Sequence, residues 1–227
     1  MELRLAFKKM GMIKFISHLD TLRVFTRAIQ RAEIPVLWSE GFNPHQKLSI
    51  AQPLSVGMES EFEVMDLEVE DDYPYEELKE ALNRELPKGI EIMEVTPDFD
   101  KKSVFDRIRK TEYRLFFPEE FYPERKKLED IMEEAMKHDE ILVKRRKKKG
   151  RKRIIVDEDI KPGIYSLDWQ DEEEGYGLYV VLRAGSEGNL RPDRLLAGLF
   201  ETSGLDVDFV QIRRLRSWDG DDFEVQL

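Results

Sequence analysis

Residues 17–61, SHLDTLRVFTRAIQRAEIPVLWSEGFNPHQKLSIAQPLSVGMESE, carry the pattern from which the fold is assembled. Ser17 stands where a helix N-cap belongs, with Asp20 three residues on in a capping-box-like position. Leu19, Leu22, Phe25, Ile29 and Ala32 recur at helical spacing, which predicts a helix from about His18 to Ala32. Pro35 prevents its continuation. Upstream, the alternation of Leu3, Leu5 and Phe7 predicts an opening strand, and Ile13–Ile16 an extended segment. Downstream, strands are expected at Lys47–Ala51 and Glu61–Glu70, an amphipathic helix at Tyr75–Leu86, and a closing strand at Ile90–Thr96.

That succession is βαββαβ, the ferredoxin-like order. The second half repeats it loosely. Tyr113–Phe117 is strand-like, Pro123–Lys137 helical, and Ile141–Val156 a hairpin around a basic tip. Tyr176–Ala184 follows as a strand, Pro192–Ser203 as a helix and Val207–Trp218 as a long final strand, with Ile164–Trp169 an additional extended segment. The expected fold is therefore α+β: two ferredoxin-like halves, residues 1–100 and 101–227, with a projecting basic hairpin at 141–156. Trp38, Trp169 and Trp218 are expected to pack.

At 227 residues, with 41% hydrophobic and 10% aromatic residues, the chain can bury a core, and wholesale disorder is excluded. It has no cysteine, so disulfides, Cys-type zinc sites, a thiol nucleophile and a Cys-ligated iron–sulfur cluster are excluded. No apolar run reaches the ~20 residues of a membrane span, and MELRLAFKK lacks a signal-peptide apolar core. A cytoplasmic protein without membrane partners is expected.

The net charge of −11 is unevenly spread. Residues 1–50 hold eight Lys/Arg against four Asp/Glu, whereas residues 51–100 hold sixteen acids and three bases. KRRKKKGRKR at 144–153 places nine cations around Gly150. An acidic chain with two basic islands presents local anion-binding surfaces rather than a general affinity for polyanions.

Four candidate sites follow. Arg23, Arg27 and Arg31, at i, i+4 and i+8, project from one helix face, where they either grip phosphates or carboxylates or form a solvated ion-paired surface. In GFNPHQK, Gly41 and Asn43 favour left-handed geometry and Pro44 restrains Asn43, giving a definite loop that presents Asn43, His45 and Lys47. Alternatively, Asn43 satisfies local backbone groups and Phe42 anchors the loop to the core. His18, Asp20 and His45 are candidates for a small acid–base or metal site, against structural roles in capping and packing. The cations Lys144, Arg145, Arg146, Lys147, Lys148, Lys149, Arg151, Lys152 and Arg153 can track a nucleic-acid backbone, protect an edge strand or dock an acidic protein. No aromatic residue is interleaved to stack bases. No Walker loop, dinucleotide fingerprint or H-E-x-x-H motif is present, and no cofactor is expected.

The stretch KFISHLDTLRVFTRAIQRAEIPVLWSEGFNPHQKLSIAQPLSVGMESE resembles the opening signature of the radical SAM-linked proteins, a bacterial domain family of unknown function. The resemblance rests on SHLD, the arginines after it, IPV, GFNPH, Lys47–Ser49 and the G-x-x-S-E at Gly57–Glu61, with weaker similarity through RPDRLLAGL. Such proteins stand alone or are fused after a cobalamin-binding radical SAM enzyme. The resemblance therefore implies a link to a radical SAM partner. With the basic surfaces, it leads to the expectation of a non-catalytic accessory that holds an anionic substrate, RNA or a ribonucleoprotein. The alternatives are a small acid–base or metal-dependent enzyme using His18, Asp20 and His45, and a protein-interaction module whose acidic faces dock a basic partner. A similarity in element order alone extends to the duplicated ferredoxin-like RNA-processing proteins of CRISPR systems, whose glycine-rich C-terminal loop is missing here.

Overall fold

The computed structural model describes residues 1–97, 103–149, 152–200, 203–220 and 224–225. It is an α+β fold of two compact units, one formed by Met1–Ile108 with Arg213–Leu227, the other by Arg109–Ile212. The expected junction at residues 100 and 101 lies outside the described residues.

In the first unit, β1 (Glu2–Lys9) is followed by α1 (His18–Arg31), β2 (Leu48–Ile50), β3 (Glu59–Glu68), α2 (Leu78–Glu85), β4 (Ile90–Thr96) and the short α3 (Val104–Arg107). β1 lies between β4 and β3, and β2 flanks β3, all antiparallel. The last strand, β10 (Gln211–Trp218), pairs parallel with β3, with Arg213 opposite Glu59 and Arg214 opposite Ser60. The alternation of β1 puts Leu3, Leu5 and Phe7 against α1 and α2, where they meet Phe25, Ile29, Met65, Leu67, Leu82 and Ile92 in one core. The Phe7 and Phe25 rings meet edge to face at 4.9 Å. On the opposite face Arg4, 1% exposed, is held by its cross-strand neighbour Asp66, with Nε donating to Oδ1 (2.7 Å) and Nη2 to Oδ2 (3.0 Å). Asn83 ties α2 to β4: its Nδ2 donates to the Ile92 carbonyl (2.9 Å) and its Oδ1 accepts from the Ile92 N–H (2.7 Å). Helix α1 buries Phe25 and Ile29 completely, whereas Leu22 is only half-buried.

Residues 13–15 are not extended, and only Ile16, at the end of the expected segment, is. Gly11 takes a positive φ of 72°, which turns the chain out of β1 into a 3-10 turn, Gly11–Phe15.

The second unit contains β5 (Lys110–Pro118), α4 (Arg125–Lys137), β6 (Leu142–Lys149), β7 (Lys152–Asp159), β8 (Ile164–Glu172), β9 (Gly175–Arg183) and α5 (Pro192–Phe200). β9 pairs antiparallel with both β5 and β8. The extra extended piece expected at Ile164–Trp169 is thus part of a full sheet strand, β8. The residues expected as a hairpin at 141–156 form β6 and β7, which pair antiparallel as a separate two-stranded sheet running to Asp159. The core gathers Leu115, Phe117, Leu178, Val180, Leu182, Leu195 and Phe200, with Trp169 packed at its edge. The final strand begins at Gln211 rather than Val207.

Candidate functional site

Helix α1 starts as its sequence requires. The Ser17 Oγ accepts from the Asp20 N–H (3.2 Å) and donates to the Asp20 carboxylate (2.7 Å). This hydroxyl bond, then Arg23, holds the Asp20 carboxyl below its usual range. The arginine face is divided by its partners. Arg23 pairs with Asp20 at 2.7 Å, and Arg31 with Glu85 at 2.8 Å. Arg27 is exposed and makes no ion pair or hydrogen bond among the described residues.

The GFNPHQK loop closes on itself. A bridge joins Trp38 to Gln46, the Ser39 N–H donates to the His45 carbonyl (2.8 Å), and the Ser39 Oγ lies 2.8 Å from His45 Nδ1. Gly41 takes a positive φ of 118°, as expected. Buried Gln46 fastens the loop to α1, its Nε2 donating to the Thr26 carbonyl (3.4 Å). Lys47 pairs with Glu68 at 2.8 Å, which raises its pKa. Asn43 and His45 are exposed. The alternative in which Phe42 anchors the loop is overturned, because its ring is fully exposed, and Trp38 is 49% exposed where packing was expected. The loop's hydrogen bonds are made by Ser39 and Gln46, so no apolar anchor is needed.

His18 points elsewhere, toward a small space lined also by Phe7, Lys9, Thr21, Ile50, Leu54 and Glu63. Among the described residues no three His, Asp or Glu side chains form a group able to hold a metal ion, so His18, Asp20 and His45 are not gathered into one.

The space beside His18 exposes a site that sequence reasoning missed. Glu63, 4% exposed, accepts from Arg214 Nη1 at 2.7 Å, and Arg214 also reaches the Gln52 carbonyl at 3.1 Å. Lys9, 2% exposed, faces the same carboxylate and donates to the Ile16 carbonyl (3.2 Å). Burial pushes the Glu63 carboxyl up despite Arg214 and Lys9, and burial pushes the Lys9 amine down despite Glu63. Three buried charges at the end of a hydrophobic core mark a candidate functional site. A signal was available. Leu3, Leu5, Phe7 and Lys9 are in phase, as are Leu67, Met65 and Glu63, so both core-facing series end on a charge.

The first unit also leaves apolar side chains in solvent: Met12 (80% exposed), Phe15, Leu19 (63%) and Val56. Lys14 lies over the Phe15 ring at 5.5 Å, and its carbonyl accepts from the Gly57 N–H (2.8 Å), joining the 3-10 turn to the loop that carries Val56.

In the hairpin, Lys144, Arg145, Arg146 and Lys147 are exposed, and Arg145 pairs with Glu158 at 2.7 Å. The base of β6 faces Asp157, Glu158 and Asp159 across the ladder, so its cationic character rises toward the tip. Arg151 lies outside the described residues, as do the side chains of Lys148, Lys149, Lys152 and Arg153. No described helix is long and apolar enough to cross a membrane.

No curated protein matches this chain. Among solved structures, similarity is found to a Cbf5–Nop10–Gar1 complex at 12% identity and a TM-score of 0.47, over 94% of this chain. This chain spans only 48% of that one. A putative glycine cleavage system transcriptional repressor matches at 12% identity and a TM-score of 0.25, over 93% of this chain and 94% of the other. Likeness this distant identifies neither ligand nor activity. The sequence itself is more specific: residues 2–192, with α1, the GFNPHQK loop and the buried charges Lys9 and Glu63 inside them, match the model of a family described as uncharacterized proteins conserved in bacteria. The chain belongs to that family, DUF2344.

Proposed function

We propose that this protein is a non-catalytic accessory of a radical SAM enzyme, holding an anionic substrate, RNA or a ribonucleoprotein, for its partner in the cytoplasm. The family is a bacterial domain that occurs beside or fused to radical SAM enzymes, which supports the partnership. The observation that carries the substrate class is the α1 surface. Arg27 is exposed with no partner among the described residues, on a helix whose neighbouring loop holds Asn43, His45 and Phe42 in solvent. A free guanidinium suits phosphate, and an exposed ring suits an unstacked base. The exposed cations of β6 extend the footprint. The β4–β1–β3–β2 order of the first unit supports reading the first half as ferredoxin-like, and we extend that reading to the second half, with β6 and β7 as an insertion.

The test substitutes serine for Lys147, Lys148, Lys149 and Arg151. RNA affinity should fall, and the slope of log affinity against log salt should flatten by about 0.7–0.9 per lost phosphate contact. The fold should hold, because none of these side chains belongs to the described core of the second unit. Unchanged affinity and slope would remove the hairpin from the footprint. A lost radical SAM partner in a pull-down would then reassign it to protein docking.

A further inference from the structure

The second unit holds an elongated groove of about 470 Å³ between α4, α5 and the start of β6, within the size range of clefts that take ligands. Along α4 its wall is Asp130, Ile131, Glu134, Ala135 and His138, a single face running over two turns, or ~12 Å at 1.5 Å per residue. The apolar part of the lining is completed by Leu199, Ile141 and the half-exposed Leu142. Gly198 keeps the opposite wall flat. A Cβ there would stand 2.7 Å from Ile160 Cδ1 and 2.9 Å from Ile141 Cγ2, so only glycine lets α5 close on the base of the hairpin.

The charge of the rim has one sign. Besides His138, the ionisable side chains lining the groove are Asp130, Glu134 and Glu140, with no lysine or arginine among them. Among the described residues, Asp130 and Glu134 are engaged only by Lys126 (2.9 Å) and Lys137 (3.0 Å) on the same helix. Exposed pairs of this kind are weak and exchange readily for an incoming guanidinium, which binds carboxylates in fork geometry. Glu140 forms no ion pair among the described residues. Lys137 holds the Glu134 carboxyl below its ordinary range, so that rim stays anionic.

The geometry points to this groove as the docking site for a short basic amphipathic segment of a partner protein. An aliphatic or aromatic side chain of that segment would rest on Ile131, Ala135 and Leu199, with flanking Arg or Lys against Glu134 and Glu140. Charge complementarity selects this occupant: phosphates would meet carboxylates here, and an uncharged apolar segment would leave the rim unused. The site is separate from the cationic surfaces assigned to RNA and does not depend on that reading.

A fluorescein-labelled peptide with Leu and Arg at helical spacing, and the same peptide with Glu for Arg, are the probes, titrated by anisotropy against the full chain. The Arg peptide should bind and the Glu peptide should not. Ala135→Trp, which fills the groove, should weaken binding by about tenfold or more. Glu134→Lys with Glu140→Lys should weaken it and flatten its salt dependence. Leu142→Asp, at an exposed position that the fold tolerates, should also weaken binding, which keeps the test valid if Ala135→Trp misfolds. RNA affinity measured on the same variants should not change. Failure of the Arg peptide to bind the wild type, equal binding of the Glu peptide, or full affinity in both Ala135→Trp and Leu142→Asp each overturns the assignment. So does wild-type self-association that Ala135→Trp abolishes, which would make a second copy the occupant.

Discussion

Replacing Arg214 with leucine strips the buried Glu63 carboxylate of its 2.7 Å partner. Both groups are about 95% buried, so water cannot take the guanidinium's place. Removing one member of such a pair costs about 3–5 kcal/mol. For a chain of this size, that is a fall of about 6–20 °C in melting temperature. Glu63→Gln leaves Arg214 without its counter-charge but also removes a buried carboxylate, so it should cost less than Arg214→Leu. Glu63→Met combined with Arg214→Leu should cost far less than the two together, since an apolar pair carries no desolvation penalty. Urea unfolding followed by circular dichroism gives all three values. The pH dependence has a definite sign. Burial raises the Glu63 pKa above 4.5, so the native state binds its proton more tightly than the unfolded chain does. That contribution to stability is fully present below the unfolded pKa and is lost as pH rises through the native value. The wild-type stability minus that of Glu63→Gln should therefore decline as pH rises from 4.5. The cost of Arg214→Leu should shrink on acidification, when Glu63 takes up a proton. Additive single costs, or an Arg214→Leu cost below about 1 kcal/mol, typical of an exposed pair, would refute the reasoning.

Asn83→Ala removes both side-chain bonds to Ile92 and should destabilise the first unit by about 1–3 kcal/mol, read as a shift in urea midpoint at unchanged slope. Arg27→Ala should lower RNA affinity and leave the melting temperature unchanged. Arg31→Ala should lower the melting temperature, because its guanidinium bonds both the Glu85 side chain and the Glu85 carbonyl (2.5 Å). Equal effects of the two on RNA affinity would argue against a distinct role for Arg27.

Local chemistry was legible where it was self-contained. Ser17, the apolar spacing after it and Pro35 specify α1 almost to the residue, and the observed Glu59–Glu68 is the expected strand slid by two positions. What failed depended on partners remote in sequence. The triplets Ile141–Val143 and Ile154–Val156 did announce the separate pair β6 and β7, but nothing local says how far the next segment, expected as Ile164–Trp169, extends. The place beside β9 goes to segment 164–172, whose register is fixed by β9 itself. The arginine face resolved unevenly for the same reason: Asp20 lies within the helix and predictably satisfies Arg23, whereas Glu85 meets Arg31 only through the packing of α2. Lys9 and Glu63 carried a readable signal in their strand phase. Their partner Arg214 is 151 residues from Glu63, beyond any pattern-based inference.

That separation bears on synthesis. Residues 213–227 leave the ribosome only after the whole of the second unit, yet they complete the first. Until Arg214 arrives, the nascent first unit must either keep Glu63 and Lys9 hydrated by leaving the end of its core open, or bury a carboxylate with a lysine alone. The second unit, continuous in sequence, has no such wait. Translation that stalls before residue 213 should thus release a chain whose later-made unit is folded and whose earlier-made unit is a chaperone substrate.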